Sequence, residues 1–164
     1  MTRLSPADIL GRIEKGIKPW CDAHRVKPSL ATDSWNVLEL LAQSPSGLRV
    51  ILHWNGDDDA GGHESAGIVD NVVEVIVSHN RGLLAAPGAN LVHGIAGQPP
   101  LYTTLSDLRA VLRSLTWPDG IASKRLFYKG TKPMTAPDGL PLDAMKMTFG
   151  LVAGIPAIPD HLVS

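Results

Sequence analysis

Three consecutive carboxylates, Asp57-Asp58-Asp59, stand in a glycine-rich stretch that also carries His63-Glu64. They form the densest set of metal-ligating side chains in the sequence. Acidic oxygens with an imidazole nearby suit a divalent cation, so the chemistry they would support is that of a small metal-dependent enzyme working from Asp57–Glu64. The pattern departs from the sites it would have to match. A calcium hand alternates acids around a central glycine and closes on a distant glutamate, and a zinc-protease helix carries a second histidine after His-Glu. The sequence has neither. A solvated loop of mutually repelling charges is the stronger reading, and no catalytic residue, metal ligand or cofactor is assigned.

The other chemistry-bearing residues are dispersed. The histidines are His24, His53, His63, His79, His93 and His161. His53 and His79 fall at the ends of predicted strands, where antiparallel pairing would bring them together. Ser78-His79-Asn80 suggests hydrolase chemistry but lacks a nucleophile elbow or a second motif. Gly82, Gly88, Gly94 and Gly97 are not followed by Gly-Lys-Ser/Thr, so they make no phosphate loop. Met134, Met145 and Met147 read as core filling. Cys21 is the only cysteine, which excludes an internal disulfide and CxxC metal sites and fits a reducing compartment.

Bulk properties narrow the function classes. A chain of 164 residues can bury one real core. With a formal net charge of −1 and no run of Lys and Arg, a dedicated DNA-binding surface is not expected. No apolar stretch approaches the ~20 residues of a membrane span, and the N-terminus lacks a signal-peptide core. The expectation is a soluble cytosolic domain over residues 1–155 followed by a free arm, Pro156–Ser164.

The elements that must position these residues are organised around Ile68–His79, IVDNVVEVIVSH. Val69, Asn71, Val73, Val75 and Val77 share one parity, and Val72, Glu74 and Ile76 the other, which predicts a long half-buried strand. About ten paired residues would span ~33 Å and need long neighbours. Leu48–Trp54 and Ala144–Ile155 are the two available. The odd face must be covered by helices, while the even face, with Asp70 and Glu74, is solvated or partly covered.

Ser5-Pro6-Ala7-Asp8 starts a helix whose stripe is Ile9, Leu10, Ile13 and Ile17 and which ends near Gly16–Pro19. Trp20–Leu30 reads as a connector. Trp35–Ala42 reads as a short helix, Asn55–Gly67 as a long acidic loop, and Asn80–Pro100 as an extended loop tied at its ends. Thr104 is placed to cap a helix carrying Leu105, Leu108, Val111, Leu112 and Leu115. A short strand follows around Leu126–Tyr128, then a turn-rich excursion over Pro133–Pro141. The expected fold is α+β: a mostly antiparallel four-stranded sheet with helices on one face, long loops and a C-terminal arm. The expected core includes Ile13, Val50, Leu52, Val73, Val75, Leu108, Leu112, Met147 and Phe149.

This order of elements, carried by LRVILHW, VDNVVEVIVSH, LYTTLSDLRAVLRSL and MKMTFGLVAG, resembles the tail terminator (tail completion, or neck) proteins of long-tailed bacteriophages. The resemblance implies a structural virion component without catalytic activity or cofactor. It also implies a homo-oligomeric, six-fold ring that caps the major tail tube protein and joins it to the head-tail connector protein. DNA would pass through such a ring without sequence-specific binding, and no membrane would be involved. The site would be the tail-neck region of the virion, and the host cytoplasm during assembly. Candidate contacts with a neighbouring subunit or the tube are Asp57, Asp58, Asp59, Glu74, Lys146, Pro156 and His161. The alternatives are another phage tail or connector protein, or the small metal-dependent enzyme.

Overall fold

The valine-rich segment is paired along both sides. A computed structural model describes residues 4–44, 47–59, 68–82, 88, 90–94, 97–118 and 125–154. In chain order it contains helix α1 (Pro6–Ala23), strand β1 (Ser29–Ala31), helix α2 (Ser34–Ala42), strands β2 (Gly47–Asp59) and β3 (Ile68–Asn80), helix α3 (Leu101–Ser114), and strands β4 (Phe127–Met134) and β5 (Leu142–Gly154). All 13 residues of β3 pair with β5, and β2 takes its other side, both antiparallel. These are the two neighbours expected for it.

The fold is α+β, but its sheet has five strands in the order β1-β2-β3-β5-β4 and is mixed, not four-stranded and antiparallel. The added strand is β1, which runs parallel to β2 and pairs Ser29, Leu30 and Ala31 with Ile51, Leu52 and His53. A parallel pair needs a crossover, and α2 supplies it. Three residues, two of them inside an expected connector, are too few to show a period.

The crossover also overturns the expectation of helices on one face. One face carries Val50, Leu52, Val73, Val75, Val77, Met147 and Phe149, closed by Ile9, Ile13 and Ile17 of α1 and Leu105, Leu108 and Leu112 of α3. On the opposite face, Val37 and Leu41 of α2 pack with Ala31, Ile51, Ile76, Leu142 and Ala144. The even face of β3 is thus covered over the half nearest Gly47 and Asn80. All nine expected core residues are fully buried.

Helix α1 starts as its sequence requires, with Ser5 capping the Asp8 amide and Asp8 returning a bond to the Ser5 backbone. It does not stop at Pro19. A proline inside a helix forfeits one backbone bond, yet the chain stays helical to Ala23. Cys21 is buried on the stripe begun by Ile9, and the Trp20 indole donates to Asp107 of α3 at 3.2 Å. A Cβ at Gly16 would run into Leu115, so that glycine lets the segment after α3 lie close against α1.

Helix α3 begins at Leu101, and Thr104 is not its cap. The Leu101 and Tyr102 amides donate to the carbonyls of Asn90 and Leu91, so loop backbone meets the first-turn donors. The buried Thr104 hydroxyl donates to Pro100 O at 3.0 Å. β4 runs on through Pro133 to Met134, into the expected turn, because an edge strand tolerates a missing N–H on its outer side. β2 runs past Trp54 to Asp59, so the first five residues of the expected acidic loop are strand. The arm Pro156–Ser164 lies outside the described residues. Among those described, no helix is long and apolar enough to cross a membrane.

Leu112 is fully buried between α1 and the sheet. Leu112→Ala should lower the unfolding free energy by about 2–5 kcal/mol in urea titrations. A loss below about 0.5 kcal/mol would contradict the packing of α3 on the sheet.

Candidate functional site

Beyond the part packed by α2, the same face carries a strip of charge across three strands. His53 of β2 is paired opposite Glu74 of β3, and Lys146 of β5 lies diagonally to it, opposite Ile76. The Glu74 carboxylate accepts from Lys146 Nζ at 2.8 Å and lies 3.4 Å from His53 Nδ1. His53 and Glu74 are buried, whereas the Lys146 side chain is 35% exposed. A histidine–carboxylate contact orients an imidazole, and in hydrolases it serves a nucleophile. Here the third member is an ammonium, which neutralises the buried carboxylate. Of the two candidate contact residues on this strip, Glu74 is held inside the protein and Lys146 is the accessible one.

A second ion pair crosses the sheet nearer the hairpin end. Lys129, at the bulge between Tyr128 and Gly130, reaches over β5 to place Nζ 2.6 Å from Asp70 Oδ2 on β3. It crosses at Gly150. A Cβ there would sit 2.6 Å from Lys129 Cε and 2.7 Å from Asp70 Oδ1, so the missing side chain is what opens the path. The same bridge offsets repulsion between Asp70 and Asp58, which are paired opposite each other.

Beyond a bulge between Trp54 and Asp57, the backbone of Asp57, Asp58 and Asp59 pairs with Asn71, Asp70 and Val69. Asp57 and Asp58 are exposed. The three acids are therefore spaced along a strand, not gathered around a loop. Among the described residues no group of three or more His, Cys, Asp or Glu is placed to hold a metal. His63 and Glu64, and the candidate contacts Pro156 and His161, lie outside those residues.

His53 and His79 do not meet. They lie on opposite faces, because His53 pairs with Glu74 while His79 pairs with Leu48 of the other parity. The buried His79 ring contacts the Asn90 amide through Nδ1. Its cross-strand neighbour Asp143 is bound to Arg81 at 3.1 Å. Burial pushes the His79 pKa below its ordinary value, opposed by the Asp143 charge. Burial also pushes the Cys21 thiol up to about 11, so it is protonated at neutral pH and a poor nucleophile.

Two surfaces escaped the sequence reading. Lys15, Lys18, Arg25 and Lys27 line one groove along α1 and the segment after it, although no run of basic residues marks them. The signal was Lys15 and Lys18 at helical spacing, with Arg25 and Lys27 in the turn that follows. On the other side, Trp35 is 70% exposed on α2 and, with Leu38, borders a cleft against Thr135–Asp138. A short helix needing only Val37 and Leu41 inward leaves its other apolar residues in solvent.

Two measurements check this geometry. Gly150→Ala should displace Lys129 from Asp70 and cost about 1 kcal/mol, but much less in a Lys129→Ala background. Additive costs in that double-mutant cycle would contradict the crossing. For His79, the unfolded chain takes up its proton near the ordinary value of about 6.5, while the folded chain resists it. Stability is therefore full above that pH and is lost as pH falls from about 6.5 toward the lower folded value. Thermal melts should fall more steeply over that window for the native chain than for His79→Gln. Equal slopes would contradict it.

No protein-family model matches the chain, and no curated protein matches it in sequence.

Proposed function

We propose that this protein is a structural component of a phage tail, a terminator that assembles as a ring on the end of the tail tube and joins it to the head-side connector. The observation that supports this most is where the unsatisfied charge sits. Three strands of 13 residues, β2, β3 and β5, build a platform ~40 Å long with α1 and α3 closing one face. At one end of that platform the exposed Asp57 and Asp58 have no ion-pair partner among the described residues. Charge at the rim of a long sheet suits a subunit whose neighbours complete it. The retained order of helix, long hairpin, helix and closing strands supports the resemblance on which the reading rests. A net charge of −1 fits a ring through which DNA slides without being held.

The test mixes tail tubes polymerised from the tube protein of the same phage with the intact chain or with a chain ending at Gly154, and images both by negative stain. Capping by the intact chain, and not by the shortened one, is the expected result. Rings that bind the connector but leave tube ends bare would move the protein to a neighbouring position in the neck. If neither chain caps tubes nor forms rings at high concentration, the terminator reading is wrong.

A further inference from the structure

The two ends of β2 carry opposite charge. At its Gly47 end, a groove of about 600 Å³ runs between α1 and the segment leading to β1, with buried Cys21 and Val26 in its lining. Four cations and two acids line it: Lys18 is paired with Asp22 at 2.6 Å, Glu14 is half-buried, and Lys15, Arg25 and Lys27 are exposed and make no ion pair among the described residues, so the groove is basic on balance. Arg25 holds a left-handed backbone, φ 56°, at the turn after α1, where glycine would be the unstrained choice. An adjoining cleft shares Arg25, Val26 and Lys27 and reaches Leu48 and Arg49, which places the basic groove at the start of β2. The exposed acids stand at its far end.

Leu48 to Asp58 along a strand is ~30 Å, and charges in physiological salt are screened over about 8 Å. The acidic end therefore cannot neutralise the basic groove of its own chain. We infer that each satisfies the other between copies, the Asp57–Asp58 end of one molecule seating against the groove edged by Lys15, Arg25 and Lys27 of the next. β1 covers β2 only at residues 51–53, so the acidic segment also presents a strand edge that β1 does not occupy. The contact joins two different patches, head to tail, and such contacts close into rings when the rotation between copies permits. Repulsion among the acids then has a purpose. It keeps the free ends apart until a cationic groove faces them. The inference deepens the ring reading and rests on it for closure, but the contact can be measured without tail tubes.

The experiment is zero-length carbodiimide crosslinking of the full chain, using an equal mixture of isotopically light and heavy protein. Crosslinks from Asp57 or Asp58 to Lys15 or Lys27 should appear in mixed-isotope form, since one chain cannot span the gap. Asp57→Lys with Asp58→Lys, or Lys15→Glu with Lys27→Glu, should each abolish them and weaken association about tenfold or more. The two reversals combined in one chain should restore both. Raising salt from about 0.05 to about 0.5 M should weaken association of the native chain by about tenfold. Oligomers indifferent to salt and to both reversals would overturn the inference while leaving the ring intact. Crosslinks without capping of tubes would support the contact and remove the terminator. If the chain stays monomeric throughout, or duplex DNA shields Lys15 and Lys27 and no crosslink forms, the inference fails.

Discussion

Pairing of β3 on both sides is the constraint from which the rest of the structure follows. Its register against β2 and β5 turns Val73, Val75 and Val77 toward α1 and α3 and turns Glu74 and Ile76 the other way. A slip of one residue would expose the valines and bury Asp70 and Glu74 under two helices. Both helical layers depend on that choice. α1 and α3 close the valine face, and α2 closes only the half of the opposite face where Ile51, Ile76 and Ala144 lie.

Asn71, Glu74 and Asp70 are answered from adjacent strands. Asn71 shares the valine parity, and its amide is satisfied there by the Trp54 indole at 3.0 Å and the Leu151 carbonyl at 3.2 Å. Glu74 is held by Lys146 and His53, and Asp70 by Lys129 passing over Gly150. Such pairs add little to stability, because desolvation offsets much of the attraction. They do join β2, β3, β5 and β4 in one alignment. The sheet is mostly apolar under the helices, and its cross-strand ion pairs lie beyond them.

Much of this was legible because strong periodicity leaves few alternatives. The parity of Ile68–His79 identified both partners of β3, and the stripes of α1 and α3 identified the core. Features hidden from the sequence were those settled by tertiary contact. β1 is three residues long and exists through its pairing with Ile51–His53. Pro19 reads as a stop, yet burial of Cys21 and the Trp20–Asp107 bond carry α1 past it. Asp57–Asp59 read as a loop because strand propensity disfavours aspartate, but pairing with Val69–Asn71 extends β2 through them. The basic groove stayed invisible because its members converge from a helix and the turn beyond it. Thr104 and Asp107 had the spacing of a cap, but the helix starts three residues earlier, where the Asn90 and Leu91 carbonyls accept from the Leu101 and Tyr102 amides.

A rigid centre and a charged end give the protein two parts with different behaviour. The centre of β3 is sealed by helices, whereas the segment of β2 beyond the bulge carries the exposed Asp57 and Asp58. Hydrogen exchange, compared between free and assembled protein, separates these parts residue by residue. Amides of Val73–Val77 should exchange at the rate of global unfolding in both states. Amides of Asp57–Asp59, in the segment of β2 that β1 does not cover, should gain protection only on assembly. Unchanged exchange at that end, or a gain confined to the centre of β3, would contradict the account.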